Sequence, residues 1–190
     1  MIQVNEMSLS RSYAGVNCFI GTTKLLANER ILNALHQSTL IEELRDAEIQ
    51  ILVGLLTIKS YKAGQYIAKP GDLSLNDALL ILVEGKIEVS AIVNDEPILM
   101  TLKDPGNLAR IISFVGSNMV KIDATIEVKK DSVVLFLERS KLETLLGTAH
   151  HGIVYYVMRG LVRYMHGFAR HKSAETEVMS NYFYRLNGLF

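Results

Sequence analysis

Cysteine is nearly missing from this chain: among 190 residues only Cys18 carries a thiol. No internal disulfide can form, and no cysteine-rich metal or iron–sulfur site can be assembled. Cys18 stands beside Val16, Phe19 and Ile20. That apolar setting suits an inert buried thiol, because reactive thiols need an electropositive, exposed environment. An excess of one charge sign is also lacking. Lys and Arg total 20 and Asp and Glu total 20, so no global charge directs the chain to nucleic acid or to an anionic membrane. No apolar run reaches the ~20 residues of a membrane span. The N-terminus shows no basic segment leading into an uninterrupted apolar stretch, so no secretory signal is read there. A cytoplasmic protein with no membrane partner is the expectation.

Catalytic signatures are missing too. There is no G-x-S-x-G elbow, no P-loop, no H-E-x-x-H and no paired carboxylates at a shared site. Ser113 has no base near it in the sequence. His36, His150, His151, His166 and His171 include one pair, His166 and His171, but no Cys or carboxylate stands at ligand spacing with it. Neither catalysis nor a metal or other cofactor is expected.

What is present is a folded domain: 49% of residues are hydrophobic and 21% charged, a globular rather than a disordered composition. Up to about residue 58 the pattern is helical. Leu25, Leu26, Ile31, Leu32 and Leu35 recur at helical spacing, Thr39 with Glu42 reads as a capping box, and Asp46 starts a turn with Ile49, Leu52 and Val53 as its apolar face. From about 59 to 138 the period changes to short apolar segments punctuated by Gly64, Gly71, Gly85, Gly106 and Gly116. Ile87, Val89 and Ala91 alternate with polar residues, Asn94 to Glu96 turn the chain, and Pro97 to Leu102 return it. Ile122, Ala124, Ile126 and Val128 alternate again, and Val133 to Leu137 is a continuous apolar run suited to a buried strand. Many short strands joined by glycine turns predict a barrel or jelly roll.

Helical spacing resumes near Ser140, with Lys141, Leu142, Leu145 and Leu146 as one short helix. From His151 onward Val154, Met158, Leu161, Met165 and Phe168 fall at alternating spacings of four and three, a coiled-coil seam widened by Tyr155, Val157, Val162 and Tyr164. Gly152, Gly160 and Gly167 weaken that helix by ~1 kcal/mol each relative to Ala, so packing must hold it. Arg159, Arg163, Arg170 and Lys172 make it locally basic, as ordinary solvated helices are. An apolar tail follows, with Val178, Tyr182, Phe183, Leu186 and Phe190, and Asn187-Gly188 reads as a stop. No internal repeat or low-complexity stretch is found. The expected organisation is an N-terminal helical segment (1–44), a β-roll (45–150), a long dimerisation helix (151–172) and a short helical tail (173–190). The fold class is α+β, with an antiparallel roll of jelly-roll type.

Residues ~45 to 170 resemble the cyclic-nucleotide-binding domain of catabolite-activator-type regulators. The resemblance rests on Tyr61-Lys62-Ala63-Gly64 with Ile67, Gly71-Asp72, Leu79 to Val83 leading into Gly85, Lys86-Ile87-Glu88-Val89, Gly106-Asn107, and Ala124-Thr125. It implies a phosphate-binding cassette between Gly106 and Thr125. In the family the opening Gly-Asp is followed by Gly-Glu, a short helix, and an Arg shortly before Ala-Thr. Here Arg110 takes the place of the second Gly, Ile111 that of the sugar-binding Glu, and Ile122 that of the phosphate-binding Arg. Lys121 is one position away, on the opposite face of a strand.

A cyclic phosphate is an anion, and burying it requires a cation or several donors. Removing one partner of such a pair costs ~2–5 kcal/mol, roughly 30-fold to several thousand-fold in affinity. The cassette set Gly106, Ala109, Arg110, Ile111, Ile112, Ser113, Lys121, Ile122, Ala124 and Thr125 is therefore expected to form a degenerate pocket, with the isoleucines packing as core.

The first reading is a non-catalytic regulatory module that dimerises through Val154, Met158, Leu161, Met165 and Phe168 and contacts an unidentified protein partner. The second is a working sensor that binds a cyclic nucleotide atypically, or another small ligand, in transcriptional regulation. Only 18 residues follow Lys172, fewer than the helix-turn-helix unit that such regulators use for DNA, so DNA contact is not expected.

Overall fold

Side-chain alternation along two long strands builds the centre of the molecule. The computed structural model describes residues 28–71, 77–93, 96–116 and 124–187, with side chains given except at 93, 96–98 and 171–187. Expectations for Cys18, Leu25, Leu26, Asp72, the Asn94–Asp95 turn, Lys121, Ile122 and Phe190 lie outside the described residues.

Strand β3 (Ala78–Val93) pairs antiparallel with β6 (Ala124–Glu138) along most of its length. From Leu79 to Val83 every residue is buried, as an apolar run covered on both faces should be. Leu79, Ile81 and Val83 face a core shared with the helices, whereas Leu80 and Leu82, with Ile87, face a second core inside the sheet. The same alternation divides β6: Leu135 and Leu137 go to the helices, Val134 and Phe136 to the interior. Between Leu82 and Ile87 the register shifts repeatedly, and such bulges bend the strand pair. Strands β1 (Leu56–Tyr61), β2 (Tyr66–Ala68), β4 (Glu96–Leu102) and β5 (Leu108–Ala109) complete a six-stranded sheet of order β1-β6-β3-β4, with β2 on β6 and β5 on β3. All pairings are antiparallel. The strands predicted at Ile87–Ala91, Pro97–Leu102 and Val133–Leu137 are found, and so is the one predicted at Ile122–Val128 from Ala124 onward, the described part, which is continuous with Val133–Leu137 in β6.

The helices cover one side. In chain order they are α1 (residues 28–37), α2 (Asp46–Leu55), α3 (Ile111–Gly116), α4 (Arg139–Glu143) with a following 3-10 turn (Thr144–Gly147), and α5 (His151–Asn187). At the start of α2, Glu48 accepts the Arg45 backbone N–H at 2.9 Å. Ile153, Val157 and Leu161 of α5 are almost wholly buried, in one core with Leu35, Leu40 and Leu52.

Two local expectations are corrected. Residues 38–43 form bends and turns rather than a helix capped by Thr39 and Glu42. Both side chains turn to α5 instead: the Thr39 hydroxyl donates to the Gly160 carbonyl at 3.2 Å, and Glu42 pairs with Arg163 at 3.1 Å. The predicted break near Ser173 is also absent, because α5 runs 37 residues without interruption. From Arg170 to Asn187 the chain holds no Pro or Gly, so nothing interrupts the helix over that span.

Candidate ligand-binding cassette

The loop from Lys103 to Gly116 is shaped by its own backbone bonds. The Asn107 side-chain oxygen accepts the N–H groups of Lys103 (3.3 Å) and Asp104 (3.1 Å), which closes the turn that enters β5. Gly106 sits in the left-handed region (φ 83°) and donates its N–H to the Leu82 carbonyl at 2.8 Å. A Cβ there would lie 2.7 Å from the Ala34 carbonyl oxygen and 2.8 Å from Gln37. Only glycine lets the loop lie this close to α1. Gly106 thus anchors the cassette from behind and does not line its cavity.

Arg110 is the one non-glycine residue with positive φ (65°) among those described. A Cβ in that conformation costs ~1–2 kcal/mol. The strained position is the one that the sequence comparison assigned to a family glycine. Immediately after it α3 begins, with the Phe114 N–H bonded to the Arg110 carbonyl at 2.9 Å and the Phe114 ring fully buried. Ile111 is 8% exposed and packs in the helix-side core.

The cassette does not close over solid core. Beside Ile111 lies a cavity of about 330 Å³. Ala109, Arg110, Ile111, Ile112 and Ser113 form one wall, Val89, Ala91, Met100, Ala124 and Ile126 form the strand floor, and Tyr164, Met165, Phe168 and Ala169 of α5 cover it. Leu108 completes the lining, and its carbonyl receives the Tyr164 hydroxyl at 3.5 Å. Arg110 carries the one charge among the described lining residues. Of the expected pocket set, Ala109, Arg110, Ile111, Ile112, Ser113 and Ala124 meet here. Thr125, next to Ala124 on β6 and opposite Ser90, is not among the lining residues.

Ionisable groups with shifted equilibria stand elsewhere. The Asp131 carboxyl is held below its ordinary value by the Lys62 ammonium at 2.7 Å and the Ala63 N–H at 3.0 Å. Lys62 is raised in turn by that hydrogen bond. Lys129 is raised chiefly by its bond to Glu127, and burial raises Tyr61. None of these lines the cavity. Among the described residues no group of three His, Cys, Asp or Glu is placed to hold a metal, and no helix is long and apolar enough to cross a membrane.

The predicted seam on α5 does not lie on one surface. Leu161 is 1% exposed and belongs to the chain's own core, with Val154 and Met158 half-buried against it. Met165 and Phe168 are exposed at the cavity mouth. The seam was misplaced because α5 carries two apolar rows. Ile153, Val157 and Leu161, four apart, face inward; Tyr155, Met158, Val162 and Met165 form a row with Tyr155, Val162 and Met165 open to solvent. An overlapping second heptad was the available signal. Two members of the basic row are engaged within the chain: Arg159 reaches Glu43 at 3.1 Å, and Arg163 reaches both Glu42 (3.1 Å) and Glu43.

Residues 58–149 match the family model of the cyclic nucleotide-binding domain. No curated protein sequence matches the chain. Among solved structures, a cyclic nucleotide-binding domain from Methylobacillus flagellatus KT superposes with a TM-score of 0.63 at 17% identity, covering 80% of this chain and 83% of that one. The catabolite activator protein of Thermus thermophilus gives 0.58 at 21% identity, covering 75% of this chain and 63% of its own length. The N-terminal domain of a transcriptional regulator from Streptomyces coelicolor A3(2) gives 0.57 at 18% identity, covering 71% and 94%. The match over residues 58–149 and the likeness to these structures give the chain the fold of a cyclic nucleotide-binding domain.

Proposed function

We propose that the chain is a non-catalytic regulatory module whose cassette no longer grips a cyclic nucleotide, and whose output is the long helix α5 acting through dimerisation and contact with a protein partner. Ile111 carries this reading. It occupies the place of the sugar-binding carboxylate, and its side chain belongs to the core at 8% exposure. An apolar group there offers no acceptor to a ribose hydroxyl, and the desolvated hydroxyl is left unpaired. Ile122, in the place of the phosphate-binding Arg, removes the fork that would neutralise the phosphate. The apolar lining of the cavity agrees with this loss, since an anion buried there meets one cationic side chain, Arg110, among the described lining residues.

Dimerisation is assigned to the outer row of α5, where Tyr155 and Val162 are 60% and 64% exposed.

Calorimetry and thermal shift with cyclic AMP, cyclic GMP and cyclic dinucleotides test the proposal. A ligand at 100 times its dissociation constant stabilises by about 2.7 kcal/mol, a readily measured shift. Flat titrations are expected for all of them. Tight stoichiometric binding of either mononucleotide overturns the reading.

A further inference from the structure

We infer that the cavity between the cassette and α5 receives a predominantly apolar small molecule, with a body of one or two rings or a short acyl chain. The inference rests on the reading above, that nucleotide chemistry has left this site.

Size and lining select the guest. An apolar cavity of ~150 Å³ stays dry and takes up benzene; at about 330 Å³ this one has room for a body roughly twice as large. Water is a poor occupant. Each buried water needs about two to four polar partners, whereas the floor offers Val89, Met100 and Ile126 and the cover offers Met165 and Phe168. The walls belong to the sheet, to α3 and to α5, so the space is a concave chamber and not a groove along one face. Small-molecule sites typically have this form: an apolar chamber of about 300–1,000 Å³ with a few polar groups.

Met165 and Phe168 are 41% and 44% exposed where they line the mouth. An apolar guest beneath them would bury that surface, and the unbranched thioether of Met165 adapts to different outlines. The polar complement is small. Ser113 is a lining donor, and Arg110 is the one charged side chain among the described lining residues.

The probe is 8-anilinonaphthalene-1-sulfonate, an aromatic body with one sulfonate, titrated into the full chain by fluorescence. Saturable binding at one probe per protomer is expected. Ala91→Phe on β3 and Ala124→Phe on β6 each fill part of the chamber. Either one, with unchanged circular dichroism and melting, is expected to weaken binding about tenfold or more, the scale of a misfitted apolar contact. Methyl NMR of the wild-type chain provides a readout independent of the variants. Probe-induced shifts concentrated on Val89, Met100 and Ile126 support the assignment. Absence of saturable binding, shifts centred elsewhere, or unchanged affinity in a folded filling variant overturns it. Calorimetry with cyclic AMP, run in parallel, keeps the two proposals apart: flat calorimetry with a silent probe removes only this one, while nucleotide binding removes the reading beneath it.

Discussion

Gly160 of α5 lies directly on the backbone of Thr39. A Cβ at Gly160 would come within 2.5 Å of the Thr39 carbonyl oxygen, and the Thr39 hydroxyl bonds back to the Gly160 carbonyl at 3.2 Å. By helix propensity alone Gly160→Ala gains ~1 kcal/mol. Backbone has no rotamer with which to give way, so overpacking of ~1–3 kcal/mol outweighs that gain. A net loss is expected, with the melting temperature falling by a few degrees. Gly167→Ala is the control, because nothing lies within 4 Å of its added Cβ. It is expected to raise the melting temperature by about 2–3 °C, from ~0.5–1 kcal/mol.

Arg110 yields a second pair. Arg110→Gly and Arg110→Ala remove the same long side chain but differ in their tolerance of a φ of 65°. The Gly variant is expected to be the more stable by about 1 kcal/mol, read from urea midpoints. Equal midpoints would show that the left-handed conformation is not maintained in solution.

Adjacent residues on α5 separate core from surface. Leu161→Asp puts a charge where exposure is 1%, and a loss of ~4 kcal/mol or more is expected, enough to unfold a marginal domain. Val162→Asp, at 64% exposure, is expected to leave protomer stability within ~0.5 kcal/mol while light scattering reports monomers. A Val162→Asp protein that stays dimeric would place the interface elsewhere.

The Asp131 pair gives a pH dependence. Its carboxyl is depressed in the folded state by Lys62 and the Ala63 N–H, so the unfolded state takes up the proton first. The contribution is present above the ordinary value of 3.8 and is lost as pH falls through the folded one. Both side chains are exposed, so the effect is small and screened by salt. Urea midpoints of wild type and Asp131→Asn are expected to differ at pH 7 and to converge on acidification. A gap that widens in acid would contradict the assignment.

Much of this architecture is legible in the sequence. Period-two alternation from Ile87 to Ala91, and the apolar run from Val133 to Leu137, identify strands because side chains on a strand must divide between two faces. The place of Arg110 was marked as a glycine position, and its left-handed backbone shows why glycine suits it. Other features have no local signature. Thr39 and Glu42 make a good capping box on paper, yet their partners are Gly160 and Arg163, 121 residues away. The seam on α5 failed for the same reason: spacing shows that a row is apolar, but not whether the protomer or a neighbour covers it.

The order of residues by itself determined the strands, the roll, and the exchange of ionic cassette residues for isoleucine, because these follow from periodicity and side-chain chemistry that act over a few residues. The tertiary structure alone decided that Leu161 is core, that Gly160 is a contact and not a weakness, that Arg159 and Arg163 are tied to Glu42 and Glu43, and that a chamber remains beside Ile111. These depend on which surfaces meet once the chain is packed. Packing is set by volume and by distance in space, and separation along the sequence records neither.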